Sequence, residues 1–240
     1  MTNHAQQSAY DVRFDWSLCG LRAIARGDVT VIIVDVLSFS TAVSVALSRQ
    51  ATVIPFPSRD PRASEYAQRH RAILADVRGA GEYSLSPTTL LRLPLGARIV
   101  LPSPNGATLC FENHCPTVIA GCFRNRAAVI ELAQSFGKPI AVIAAGEIWP
   151  DGSLRPALED WLGAGAIISR LSGSCSPEAR STAAAFEANQ DLLSSLLQCA
   201  SGVELVEAGY RSDVELAAEL DAEDGASFLE NGVFSVERTR

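Results

Sequence analysis

The stretch Val29–Thr41, VTVIIVDVLSFST, decides how the chain is read. Six apolar or β-branched residues, Val29 to Val34, run into an acid, Asp35. A near-continuous apolar run of this kind predicts a strand buried on both faces. Val36 and Leu37 follow, then three hydroxyls in four positions, Ser38, Ser40 and Thr41. The small-residue run Ala42–Leu47 then reads as helix. A carboxylate at a strand's C-terminal end, before a turn and a helix start, lies where open α/β sheets hold their ligands. The helix start offers unpaired N–H groups and a positive dipole end, which suit an anion. An acid beside an anion site needs a cation between them, so the stretch points to a metal-assisted phosphate or sulfonate site. A plainer reading makes Ser40 or Thr41 a helix cap and Asp35 a turn residue. On this stretch alone the two readings weigh equally.

Working outward, the chain of 240 residues, 48% of them hydrophobic, suits one large α/β domain or two small ones. Its net charge of -7, with no basic run, argues against general nucleic-acid binding. The first sixteen residues are polar and lack the apolar core of a secretion signal. No apolar run reaches the roughly 20 residues of a membrane span. We therefore expect a cytoplasmic protein without a membrane partner. The six cysteines form no CxxC pair and are expected as reduced core thiols. His114-Cys115 is read as incidental, because the chain has only three histidines.

Residues 11–26 read as a short strand or turn leading in. Further strands are predicted at Val29–Val34, Ala51–Phe56, Ala72–Val77, Ala97–Leu101, Thr117–Ala120 and Pro139–Ala145. Helices are predicted at Thr41–Arg49, Pro61–Arg71, Thr88–Leu93, Thr108–Asn113, Asn125–Phe136 and Leu158–Leu171. Strands alternating with helices on short links predict a three-layer α/β fold. From Ser174 the chain turns Ala/Leu/Glu-rich, with three or four helices and no strong strand before Gly232–Val236. No low-complexity linker sets this part off, so one intertwined domain over residues 1–240 is expected. The C-terminal helices either bury a homodimer face or finish the core; we expect the dimer.

Polar residues recur where strands end: Asp35 with its hydroxyls, Asp76 with Arg78, Ser103 with Asn105, and Glu147. Glu159 and Asp160 open a helix. In a parallel-type sheet such edges converge, and carboxylates there are hard oxygen ligands suited to Mg²⁺. Taken singly, Glu159-Asp160 would only complement a helix dipole and Asn105-Gly106 would be an ordinary turn. Their joint occurrence favours a site. There is no GxxxxGK[ST], no GxSxG and no GxGxxG after a strand. A haloacid-dehalogenase-type phosphatase would need an acid where Leu37 stands.

Taken in order, DVLSFST, LADVRGAG, LSP, PSPNGA, AGCFRN, AAGE, ALEDWLGAGAII and SGVELVEAGYRSDVELAAELD resemble the 2-phosphosulfolactate phosphatase family. The resemblance spans roughly residues 12–236. It implies a three-layer α/β/α fold with a mixed, largely parallel sheet and a helical C-terminal part. It also implies Mg²⁺-dependent hydrolysis of 2-phospho-3-sulfolactate to sulfolactate and phosphate, a step of coenzyme M synthesis. Asp35, Ser40, Thr41, Asn105, Gly106, Asn125, Glu159 and Asp160 match the family's motifs. Ser38 departs from its arginine, Asp76 from its glutamate and Leu85 from its asparagine. Ser103 and Pro104 replace a threonine pair, and Ala107 replaces the last threonine. The Ser38 departure removes a bidentate anion clamp; Arg78 and Arg124 are the cations that would replace it.

The expected activity is that of a Mg²⁺-dependent phosphatase on a small phosphorylated, possibly sulfonated, hydroxy acid. Asp35, Glu159 and Asp160 are the expected metal ligands, and Ser38, Ser40, Thr41, Gly106 and Asn125 the expected substrate contacts. Asp35, Asn105 and Asp76 form the expected catalytic set, with Asp76 as general base. A non-catalytic anion-binding protein and a phosphatase whose substrate lacks the sulfonate are the rival readings.

Overall fold

The apolar run becomes a strand, Thr30–Val34, buried along its whole length. Its side chains alternate between two cores: Ile32 and Val34 join one, Val31 and Ile33 the other. A strand buried on both faces needs a layer of helices on each, which is what the remaining elements supply.

The computed structural model describes residues 4–58 and 61–237. The first half runs β1 (Val12–Trp16), α1 (Ser17–Ile24), β2 (Thr30–Val34), α2 (Phe39–Ser48), β3 (Thr52–Phe56), α3 (Pro61–His70) and β4 (Ile73–Leu74). Then come α4 (Pro87–Leu90), β5 (Arg98–Pro102), α5 (Gly106–Glu112), β6 (Thr117–Gly121), α6 (Arg126–Ser135) and β7 (Ile140–Ala144). The small ribbon β8 (Glu147–Ile148) and β9 (Leu154–Arg155) leads into α7 (Leu158–Ile168). Four helices follow, α8 (Pro177–Glu187), α9 (Leu192–Gln198), α10 (Ala200–Glu207) and α11 (Arg211–Ala217). Last are β10 (Ala226–Glu230) and β11 (Val233–Glu237).

Among the described residues, nine strands form one mixed, largely parallel sheet in the order β1-β7-β2-β6-β10-β11-β3-β5-β4. One face carries a core that draws on α6, α7, α9 and α11. The other carries a core built with α1, α2, α4 and α5. The fold class is thus the expected α/β/α, with a helical C-terminal part. Leu196, Val214 and Ala217 of α9 and α11 complete the first core. Among the described residues no helix is long and apolar enough to cross a membrane. The six cysteines are free thiols; Cys19 is exposed and Cys175 half-buried, so the expected core placement holds for the other four.

Three elements correct the sequence reading, the first being residues 11–26, expected as a short strand or turn, which hold a strand and then the helix Ser17–Ile24. The strand expected over Ala72–Val77 shortens to Ile73 and Leu74 at the sheet edge. The C-terminal strand expected over Gly232–Val236 is one arm of a hairpin whose other arm, Ala226–Glu230, was read as helical. This hairpin joins two parallel blocks, pairing antiparallel with β6 on one side and β3 on the other. Three antiparallel seams reverse the strand sense between the blocks. The strand ends therefore do not form one common rim, as a wholly parallel sheet would have made them. Contact between α5 and both β2 and β3 helps bring the loop after β5 back to the end of β2.

Candidate active site

Asp35 follows β2 and is 5% exposed. Its Oδ1 accepts from the N–H of Phe39 at 3.0 Å and its Oδ2 from the N–H of Gly106 at 2.8 Å. The carboxylate thus occupies an amide at the start of α2 that an anion was expected to use. Helix α2 begins at Phe39, two residues before the expected start. Ser40 and Thr41 consequently lie inside the helix, fully buried, and cap nothing. The Ser40 hydroxyl accepts from Asp35 N–H at 3.1 Å and donates to Ile33 C=O at 3.1 Å. That of Thr41 donates to Val36 C=O at 2.7 Å. Both hydroxyls stitch the strand end to the helix instead of facing a ligand.

Glu159 and Asp160, in the first turn of α7, are 2% and 3% exposed. Asp160 accepts from Val36 N–H at 2.7 Å and from Gly146 N–H at 2.8 Å, clasping the chain as it leaves β2 and β7. Glu147 follows the same β7 end, and its Oε2 accepts from Asn105 Nδ2 at 2.9 Å. Asp35 is therefore one residue from the Asp160 contact and bonded to the neighbour of Asn105.

Burial penalises charge on these acids, and they repel one another. Desolvation raises the Asp35 pKa, Glu159 adds to the rise, and the Phe39 and Gly106 amides with Arg78 oppose it. Asp160 is raised well above its ordinary value by burial, then by Asp35 and Glu159. Glu147 is pushed up to about 7, first by burial and then by Asp35, against the Asn105 hydrogen bond. Glu147 stands among the polar strand-end residues picked out in the sequence, where it received no role.

This surplus of buried negative charge suits a bound cation. Among the described residues, however, no three His, Cys, Asp or Glu side chains make a group that would hold a metal ion by themselves. The expected trio Asp35, Glu159 and Asp160 is accordingly not a complete cage. What fits is an ion that keeps several waters and takes one or two carboxylates, the habit of Mg²⁺.

The Leu37–Ser38 peptide is cis, and Ser38 is buried. Its hydroxyl meets Arg78 Nη2 at 2.5 Å. Arg124 lies elsewhere: it pairs with Glu219 and Glu223 and donates to Leu216 C=O. Asp76, the expected base, accepts from the N–H of Val77 in its own turn at 2.8 Å, and Asp35 is influenced by Arg78 from this loop. Asn125 is fully buried. Its Oδ1 accepts from Cys122 N–H, and its Nδ2 donates to Ala120 C=O and to Ser227 in the hairpin. Every polar atom of Asn125 is engaged within the frame, which leaves none for a substrate. Gly106 has no room for a side chain: a Cβ would stand 2.4 Å from Phe39 Cδ1 and 2.8 Å from Asp35 Oδ2.

A family model described as 2-phosphosulpholactate phosphatase matches residues 21–232. The chain is 30% identical over 190 residues to a 2-phosphosulfolactate phosphatase of Methanothermobacter thermautotrophicus, covering 77% of this chain and 79% of that protein. It is 27% identical over 214 residues to a probable 2-phosphosulfolactate phosphatase of Thermotoga petrophila, and equally to one of Thermotoga maritima. Each of those matches covers 85% of this chain and 91% of the relative. With its acids gathered at the ends of β2 and β7, and with the family model matching most of its length, the chain belongs to the 2-phosphosulpholactate phosphatase family.

Proposed function

We propose that this chain is a phosphoric monoester hydrolase that acts on a small phosphorylated hydroxy acid, with 2-phospho-3-sulfolactate as the substrate and Mg²⁺ as the cofactor. The observation that carries the reading is the meeting of Asp35, Glu147, Glu159 and Asp160, from three separate segments, close enough to act on one another's charge. Family membership and the names of the relatives support it.

Asp35 and Glu159 would hold Mg²⁺, with Asp160 fixing the two strand ends behind them. The ion, when bound, supplies charge neutralisation for the phosphoryl oxygens. The Phe39 and Gly106 amides fix the Asp35 carboxylate in one orientation. Asn105 holds Glu147 through one N–H and has a second for a phosphoryl oxygen. Glu147, poised near neutrality, is better placed than Asp76 to take the proton from the attacking water. Ser40, Thr41 and Asn125 keep the frame and touch no reacting atom.

The test is phosphate release from a panel of phosphorylated hydroxy acids, with and without Mg²⁺. We expect Mg²⁺-dependent release and a loss of about 100-fold or more in kcat for Asp35→Asn, as for removal of a charge-stabilising group. Release from none of the panel, or full activity in Asp35→Asn, would end the reading. Thermal stabilisation by phosphate and Mg²⁺ without turnover would assign the pocket to binding instead.

A further inference from the structure

The carboxylate cluster has an arginine near each of two acids. Asp35 is influenced by Arg78, and Glu147 by Arg155. Arg155 already faces Glu204 at 3.8 Å and stacks over Trp149. Arg78 is held differently. Its guanidinium lies over the Tyr210 ring, 5.6 Å from the centroid, and among the described residues its Nη2 has only neutral partners, the Ser38 hydroxyl at 2.5 Å and Leu85 C=O at 3.4 Å. Behind it stands Asp213 of α11, fully buried. Three donors converge on Asp213 Oδ1: Ser86 Oγ at 2.8 Å, Thr88 Oγ1 at 2.6 Å and Thr88 N–H at 3.2 Å. Oδ2 faces Arg78 Nε at 3.6 Å, and among the described residues neither of these buried atoms has a hydrogen-bond partner.

A buried carboxylate kept for structure alone would be expected to use both oxygens. Here one oxygen is saturated by the loop 86–88 and the other is turned to the back of a guanidinium. That arrangement fixes the arginine's direction and leaves its Nη edge toward Ser38, beside Asp35. Resting on the phosphatase reading, we infer that Arg78 is the clamp for the substrate's non-reacting acid group, a carboxylate or sulfonate, and that Asp213 is its positioning residue. The anion would replace the Ser38 hydroxyl on Nη2 in the bidentate geometry that guanidinium favours. The arginine absent at position 38 is thereby supplied from the loop after β4, and Arg124 plays no part.

The experiment uses the full chain and four phosphate esters: 2-phospho-3-sulfolactate, phospholactate with only a carboxylate, phosphorylated hydroxyethanesulfonate with only a sulfonate, and ethyl phosphate with neither. Arg78→Gln should raise KM about tenfold or more for at least one acid-bearing ester, as expected on loss of a charge-assisted contact. Its KM for ethyl phosphate should move less than about threefold, as for a group that no longer meets the ligand. The ester that responds, phospholactate or the sulfonate, names the group held. Arg78→Lys should lie between wild type and Gln. Asp213→Asn should give a smaller KM rise on the same ester, with kcat retained. If that variant does not fold, Arg78→Lys decides. An equal KM rise on ethyl phosphate, or none on any acid-bearing ester, overturns the inference. Should wild type hydrolyse nothing, the phosphatase reading falls on its own. Calorimetric binding of 3-sulfolactate to wild type and Arg78→Gln then decides the clamp: weaker binding to the variant supports it, and equal or absent binding overturns it.

Discussion

The N–H of Gly106 donates to Oδ2 of Asp35 at 2.8 Å, across 71 positions of sequence. One hydrogen bond therefore joins the loop after β5 to the end of β2. The glycine is required because a Cβ there would strike both Phe39 and Asp35. Gly106→Ala should lower the unfolding free energy by about 1–3 kcal/mol, as overpacking does. Phosphate release should fall with it, because a Cβ 2.8 Å from Oδ2 would push the Asp35 carboxylate out of its fixed position. Denaturant melts and an initial-rate assay check both, and an unshifted midpoint would show that Phe39 can move aside.

Asn125 was matched to a substrate contact on sequence grounds, and its surroundings give it a different task. It ties the end of β6 to Ser227 of the hairpin. Asn125→Ala strands several buried partners, so a stability loss of about 2–4 kcal/mol is expected. Activity per folded molecule at low temperature should keep its KM. A raised KM with an unchanged melting curve would return Asn125 to the substrate.

The acid pocket makes stability depend on pH in an unusual direction. Most carboxylates in folded proteins are lowered and stabilise as pH rises, but Glu147 is raised from 4.5 to about 7. Between these values the folded state holds a proton that the unfolded chain has released. Stability without Mg²⁺ should therefore be highest below the lower value and fall as pH rises to about 7, by up to about 3 kcal/mol. Asp35 and Asp160, also raised, act in the same direction. Glu147→Gln should flatten the slope, and Mg²⁺ should reduce it. Thermal melts of metal-free protein from pH 4.5 to 8 read this out, and a melting temperature that rises across the window would contradict the assignment.

The hairpin turn, Asn231-Gly232, has φ of 52° and 77°. Both values are left-handed, as a two-residue turn of the I′ kind requires, and a side chain is strained at the glycine. Gly232→Val should cost about 1–2 kcal/mol, more than an ordinary surface change. Chemical denaturation checks the size. A neutral effect would mean that the turn is not what fixes the register.

Much of this architecture was legible because burial leaves a mark on composition. The runs that became β2, β3, β6 and β7 are apolar enough to need cover on both faces. Strand β10 escaped because Ser227 and Glu230 interrupt it and helical sequence precedes it. The Asn-Gly pair before Val233 was the available sign of a hairpin. The acids Asp35, Glu159 and Asp160 were legible from their places at element starts and ends. The tasks of Ser40, Thr41 and Asn125 were not, since a polar side chain that serves the backbone reads like one that serves a ligand. Arg78 and Arg124 read alike in the sequence, since both follow strands and only their partners in the fold tell them apart.

The wedge formed by Ala226–Glu230 and Val233–Glu237 has a consequence for how the molecule comes into being. A ribosome delivers these residues after the rest of the sheet has been translated. Until then, neither the open side of Thr117–Gly121 nor that of Thr52–Phe56 has its final neighbour. From the completion of Thr117–Gly121 until the wedge arrives, the nascent protein thus carries two unclosed borders, and the end of that strand, which Asn125 ties to Ser227, is fastened only once Ser227 has been made.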